Sequence, residues 1–184
     1  ICICFLISCY EWNSMTKKKK YNISGFIFLI ISFYSIYKLR HNSLSDYTWL
    51  ILTTIICVST DVGGYVFGKI FKGPKLTKFS PNKTYSGMIG GYILSIISII
   101  IFLNSPYVLV DIYLSMQIFI FVILISTISQ IGDIIISYFK RLSKIKDTGK
   151  IIPGHGGLLD RIDGMIFAFP FTYLILLLNI DHLL

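Results

Sequence analysis

Acidic side chains are scarce in this chain, so the few present mark where chemistry can sit. Only nine of 184 residues are Asp or Glu, against seventeen Lys and Arg. The nine are Glu11, Asp46, Asp61, Asp111, Asp133, Asp147, Asp160, Asp163 and Asp181. Asp46, Asp111 and Asp181 fall at the ends of apolar runs and read as boundary residues. Asp61 and Asp133 lie inside apolar runs. A carboxylate in hydrocarbon costs about 2.5–3.5 kcal/mol on insertion scales unless it is paired or lines a wet cavity. Both are expected to share such a cavity with Asp160 and Asp163. Carboxylates grouped in this way suit a hard cation, and Mg²⁺ takes a few of them together with water and substrate phosphates. The alternative for Asp61 and Asp133 is a structural ion pair with Lys or Arg.

Two segments surround these acids. The first runs from Asp61 through Gly63, Gly64, Tyr65, Gly68 and Lys69, then through Ser80-Pro81-Asn82-Lys83-Thr84 to Gly87. Ser80 to Thr84 reads as a turn followed by a helix start, where backbone N–H groups and a lysine can hold a phosphate. Ordinary turn chemistry explains the same residues, and the glycine frame of a Walker loop is missing. The second segment is denser. Asp133, Ser137, Lys140 and Arg141 are spaced to share a helical face. Lys146, Asp147 and Gly149 follow, then Pro153-Gly154-His155-Gly156-Gly157, then Asp160, Arg161 and Asp163. Glycines let backbone approach a ligand closely, Asp160 and Asp163 fall on one face of the next helix, and His155 is a turn residue, a phosphate donor or a general base.

The elements that must position these residues are membrane spans. Hydrophobic residues make up 54% of the chain and charged residues 14%. That excludes a disordered chain and departs from the roughly 25% charge of soluble domains. A bilayer crossing needs about 20 apolar residues and tolerates about 17. Five runs approach this: Asn22 to Tyr37, Tyr47 to Phe67, Met88 to Leu103, Ile112 to Ile136, and Met165 to Ile180 with a kink at Pro170. Ile1 to Tyr10 reads as the tail of another span, and the absence of an initial Met leads us to expect residues upstream. The expected fold is therefore all-α: a polytopic membrane bundle of about five full helices and a truncated leading one. The four cysteines lie in apolar runs without metal-type spacing.

Five crossings also sort the charge. Lys17 to Lys20, five lysines between Gly68 and Tyr85, and six cations between Ser137 and Asp163 fall on one side; Lys38 and Arg40 alone fall on the other. The positive-inside rule assigns the rich side to the cytoplasm. The net charge of +8 thus records topology, and nucleic acid is not the expected partner. A transporter, with acids as ion sites, is a reading from another class, but no internal repeat supports it.

The run Ser137, Lys140, Arg141, Lys146, Asp147, Gly149, Pro153 to Gly157, Asp160, Arg161, Asp163 resembles the signature of the phosphatidate cytidylyltransferase (CDP-diacylglycerol synthase) family. Asp61, Tyr65, Phe67, Gly68, Lys69, Ser80, Pro81, Lys83 and Thr84 are similar to its upstream block, and Glu11-Trp12 also looks like a family feature. Departures fall at Ser86, where Glu or Gln is usual, at Gly64, where Ala is usual, and at Gly164, where Ser is common. The resemblance implies one membrane-embedded domain over 1–184, with catalytic segments at 61–87 and 132–164. It implies cytidylyl transfer from CTP to phosphatidic acid, giving CDP-diacylglycerol and pyrophosphate. A related CTP-dependent lipid or polyprenol kinase is the alternative. Catalytic roles would fall to Asp133, Lys140, Arg141, Lys146, Asp147, His155, Asp160, Arg161 and Asp163, and substrate contacts to Asp61, Lys69, Ser80, Lys83, Thr84, Ser137, Gly154, Gly156 and Gly157. Asp133, Asp160 and Asp163 would be ligands for Mg²⁺, with a monovalent cation such as K⁺ as a second ion. A homodimer in a bacterial inner membrane, catalytic loops cytoplasmic, completes the expectation.

Overall fold

The computed structural model describes residues 1–17, 19–41, 47–77, 80, 83–105, 114–152, 154 and 156–178. Its elements are α1 (Cys2–Thr16), α2 (Asn22–Arg40), α3 (Thr48–Phe71), α4 (Tyr85–Leu103), α5 (Met116–Leu142), α6 (Leu159–Ile162) and α7 (Met165–Leu177). Among the described residues the only β pairings are the isolated bridges Lys75–Thr84 and Ile152–Gly156. The chain is an all-α integral membrane bundle: α2 to α5 are each long and apolar enough to cross a bilayer. The last expected span is a shorter apolar helix of 13 residues; Asn179 and Ile180, expected at its end, lie outside the described residues, as do Asp46, Asp111 and Asp181.

Several helices run further than apolarity alone suggests, for identifiable reasons. The first helix passes the expected end at Tyr10 because Ser8, Glu11, Trp12 and Met15, spaced along one face, are buried. The fifth continues through Ser137, Lys140 and Arg141 to Leu142, and its two cations suit the negative end of the helix dipole. The fourth starts at Tyr85 because the Thr84 hydroxyl accepts the Gly87 N–H at 3.1 Å as an N-cap.

Between membrane helices, close approach and hydrogen bonds replace the hydrophobic drive available in water. A Cβ on Gly63 would lie 2.4 Å from the Gly90 carbonyl oxygen, and one on Gly87 2.6 Å from that of Gly64. Here α3 and α4 therefore touch backbone to backbone. Thr60 donates to Ser126 at 2.8 Å, tying α3 to α5, and the Thr53 and Thr172 hydroxyls meet at 2.9 Å between α3 and α7. The seventh helix continues through Pro170. Proline has no N–H for the carbonyl of Ile166, and the Ser32 hydroxyl from α2 donates to that oxygen at 2.7 Å instead.

Two apolar clusters result. One joins Leu52, Ile56, Ile99, Phe121, Ile125 and Ile175 across α3, α4, α5 and α7. The other joins Trp12, Leu29, Phe33, Ile136, Leu159 and Ile166, and so seats α6 on α1, α2 and α5. The end of α1 and the described residues just before α4 and just before α6 gather at one end of the bundle through contacts described below.

Candidate active site

The segment before α4 is held by backbone pairing: Leu76 N–H donates to Lys83 O at 2.7 Å and Tyr85 N–H to Pro74 O at 3.2 Å. The Ser86 hydroxyl donates to the Lys72 carbonyl, so the residue that departs from the family pattern fastens this turn. Lys83 is thereby aimed across the bundle at α5, where it pairs with Asp133. Ser137, one turn on, donates to the other Asp133 oxygen at 3.3 Å.

Asp160 is the most heavily engaged acid. Its Oδ1 accepts Lys140 Nζ at 2.9 Å. Its Oδ2 accepts the N–H groups of Thr148 at 2.8 Å and Gly157 at 2.9 Å, with the Thr148 hydroxyl at 3.0 Å. Burial alone would raise this carboxyl, but the Lys140 hydrogen bond and the two N–H groups together hold it below its ordinary value. Asp163 behaves oppositely: burial first, and the charge of Asp133 second, push it well above the usual carboxylate range. Both acids have right-handed helical backbone around them, so the three-residue spacing does turn them to one side.

A cavity of about 410 Å³ opens among these groups. Asp61, Ser80, Lys83, Thr84, Asp133, Lys140, Asp147, Asp160, Arg161 and Asp163 all line it, with Thr60, Gly64, Tyr65, Leu76, Gly87, Met88 and Gln130 completing the wall. The sequence thus brought ten of its candidate residues to one place. Others lie apart. Arg141 is exposed and donates to the Ile145 carbonyl at 3.4 Å. The rotation of the helix explains this: seven residues bring Lys140 back within about 20° of Asp133, while the eighth carries Arg141 about 80° past it. Lys146 is exposed outside the wall, and Lys69 sits over the exposed Tyr65 ring at 5.6 Å. In the glycine loop, Gly157 N–H already donates to Asp160 and Gly156 packs against the same carboxylate. Gly154, with a left-handed φ of 74°, faces open space. His155 lies outside the described residues.

Among the described residues no three His, Cys, Asp or Glu side chains converge to cage a metal ion by themselves. The ion pair left open as an alternative for Asp133 is present, with Lys83 as its partner.

Glu11 was given no site role from the sequence, where its signals were an acid beside Trp12 closing an apolar run and the likeness of Glu11-Trp12 to a family feature. It is 1% exposed. Its carboxylate accepts the N–H groups of Leu158 at 2.9 Å and Leu159 at 2.8 Å, and the Thr148 hydroxyl at 3.1 Å. A Cβ on Gly149 or Gly157 would come within 2.6 or 2.5 Å of it, which is why glycine stands at both places.

Comparison with known proteins places the chain as a whole in a family. Residues 1–179 match the model of the cytidylyltransferase family. The chain is 40% identical to a phosphatidate cytidylyltransferase of Rickettsia typhi over 167 residues, covering 87% of this chain and 72% of that protein. It is 38% identical to the protein of that name from Rickettsia prowazekii over 172 residues, 90% and 74% of the two chains. It is 33% identical to that of Brucella suis over 172 residues, 93% and 61% of the two.

Proposed function

We propose, since the chain belongs to the cytidylyltransferase family, that it transfers a cytidylyl group from CTP to phosphatidic acid, giving CDP-diacylglycerol and pyrophosphate. The observation that carries this reading is the cavity itself. Five Asp carboxylates, two lysines and an arginine line one hollow at the end of an apolar bundle. There a lipid phosphate can stay at headgroup depth while a nucleotide approaches from water.

A phosphatidate oxygen attacks the α-phosphorus of CTP, a new P–O–P link forms, and the bond to the β,γ-diphosphate breaks with its electrons leaving on pyrophosphate. Phosphatidate is ionised at pH 7, so no residue need remove a proton. The obstacle is repulsion between two anions, and fixed cations aimed at the developing charge lower it. Lys83, Lys140 and Arg161 are the wall residues of that kind, and the exposed Lys69, Arg141 and Lys146 outside the wall add to the positive field that draws anions in. Ser80, Thr84, Ser137 and Gly154 offer hydroxyl and N–H contacts to phosphate. Asp147 and His155 belong to the same reading through the resemblance.

The donor set fits Mg²⁺, which keeps waters and uses one or two carboxylates together with substrate phosphates, so the lack of a three-ligand cage is compatible with it. The crowding of Asp163 against Asp133 is the kind of like-charge cluster that a divalent ion relieves. Asp133, Asp160 and Asp163 would hold it, with Asp61 nearby and K⁺ as a second ion, and when bound it supplies charge neutralisation to the triphosphate. We read the basic end as the cytoplasmic face of a bacterial inner membrane by the positive-inside rule. The resemblance also implies a homodimer, which crosslinking in native membranes tests.

Membranes containing the chain, given labelled CTP and phosphatidate, are expected to form CDP-diacylglycerol and pyrophosphate. Release of CDP with a newly phosphorylated lipid would assign the chain to the kinase alternative instead. No nucleotide turnover at all would refute the reading.

A further inference from the structure

We infer that Glu11 is a positioning residue of the active site: from the first helix it fixes the carboxylate of Asp160, acting through the Thr148 hydroxyl and the backbone amides before Asp160. This rests on the reaction proposed above. No residue of α1 lines the cavity, yet Glu11 is buried and among the described residues no Lys or Arg forms an ion pair with it. Burying a carboxylate without a counter-charge is costly unless hydrogen bonds satisfy it. The donors it finds belong to the active-site loop. The two amides are those of Leu158 and Leu159, immediately before Asp160. No side chain of its own caps α6, so Glu11 performs that role from another helix.

The Thr148 hydroxyl lies 3.1 Å from Glu11 Oε2 and 3.0 Å from Asp160 Oδ2. A hydroxyl has one proton to donate, so Thr148 serves one carboxylate at a time, and the coupling runs through the loop both hold: Glu11 anchors it at the Leu158 and Leu159 N–H groups, and so anchored it presents the Thr148 and Gly157 N–H groups to Asp160. This arrangement fixes the Oδ2 edge of Asp160 to the loop and leaves Oδ1, the edge bonded to Lys140, as the one turned to the cavity wall. Loss of the Glu11 charge therefore shifts the Asp160 carboxylate without touching the substrate pocket directly. A misplacement of about 1 Å at a reacting centre costs on the order of a hundredfold in rate.

The test uses the full chain in membranes, with Glu11→Gln, Thr148→Val and the double substitution. Glutamine keeps the volume but turns an NH₂ toward N–H or O–H donors, so one contact is lost whichever way it sits. For Glu11→Gln we expect kcat to fall about tenfold to a hundredfold with KM for CTP within about threefold. The Thr148→Val change should add less than about threefold on top, because both act through one contact. Amide hydrogen exchange at 148 and 157–159 should quicken about tenfold while the cores of α3 to α5 stay protected, and this arm reads the positioning even without turnover. Thr148→Ser, which keeps the hydroxyl, should retain activity. Fully multiplicative effects of Glu11→Gln and Thr148→Val would overturn the inference. So would a Glu11→Gln protein with ordinary kcat and unchanged exchange in the loop. If the unsubstituted chain makes no CDP-diacylglycerol while Glu11→Gln still quickens exchange in the loop, the proposed reaction is refuted and the positioning role stands.

Discussion

Substituting Gly63 or Gly64 with Ala should have opposite consequences, though the two are neighbours on α3. A Cβ on Gly63 meets the Gly90 carbonyl oxygen at 2.4 Å, with Gly90 C and Leu94 Cβ both at 2.9 Å. Ordinary contact begins near 3.4 Å, so the overlap is about 1 Å, and the obstructing atoms are mainly backbone that cannot rotate away. The helices must separate, at the roughly 1–3 kcal/mol typical of overpacking. Replacing a helical glycine by alanine returns about 0.5–1 kcal/mol, so the net at Gly63 remains unfavourable. A Cβ on Gly64 meets only the Gly87 oxygen, at 3.7 Å. There the propensity gain stands alone, and Gly64→Ala should be neutral or slightly stabilising, consistent with the small residue usual at that position in the family. Separation at Gly63 also displaces Asp61 relative to Lys83, since one is carried by α3 and the other leads into α4. Gly63→Ala should therefore lose at least tenfold in CDP-diacylglycerol formation as well as thermal stability in detergent, while Gly64→Ala retains both. Equal behaviour of the two proteins would refute this account of the α3–α4 contact.

The other predictions concern the charged and polar groups. Asp160→Asn must turn an NH₂ either toward Lys140 or toward the Thr148 and Gly157 donors; a loss of about 1.5–3 kcal/mol, read as a lower melting point, should accompany near-complete loss of turnover, and full activity would contradict the site assignment. Lys83→Met should reduce turnover at least tenfold and raise KM for CTP, because it removes a wall cation and leaves Asp133 unpaired; unchanged kinetics would remove Lys83 from the phosphate site. Ser32→Ala should lower stability by about 1–2 kcal/mol with little change in kcat, since it removes the donor to the Ile166 carbonyl and neither residue lines the cavity; an unaltered melting curve would refute the role given to that hydroxyl. Chelation of divalent ions should abolish turnover and added Mg²⁺ restore it, and Asp133→Asn with full activity and an unaltered Mg²⁺ requirement would exclude Asp133 as a ligand.

Much of the membrane architecture was legible in the chain because its determinants are local. Apolar runs of bilayer length, and cations alternating between their ends, depend on neighbours in sequence and need no knowledge of packing. The segments that line the cavity were legible for a related reason: acids are so expensive in these surroundings that Asp61, Asp133, Asp160 and Asp163 stand out wherever they occur. The same local reasoning erred where a face had to be assigned by spacing alone. Arg141 was grouped with Asp133 and Lys140, but one residue of helical rotation carries it to the surface.

What the sequence by itself determined is therefore the helical type of the elements, the approximate places of the long apolar ones and the identity of the charged groups; the short α6 and the 13-residue length described for α7 were not among its readings. What only the tertiary structure decided is how those groups are engaged. That Lys83 meets Asp133, that Lys140 meets Asp160, and that Glu11 reaches the amides of Leu158 and Leu159 are contacts across 20 to 148 positions of chain. They depend on the direct approach of α3 to α4 at Gly63 and Gly87, and on the seating of α6 against α1. No periodicity within one segment encodes such meetings. They follow from which helix surfaces can approach closely enough for short polar groups to touch, which is a property of pairs of elements.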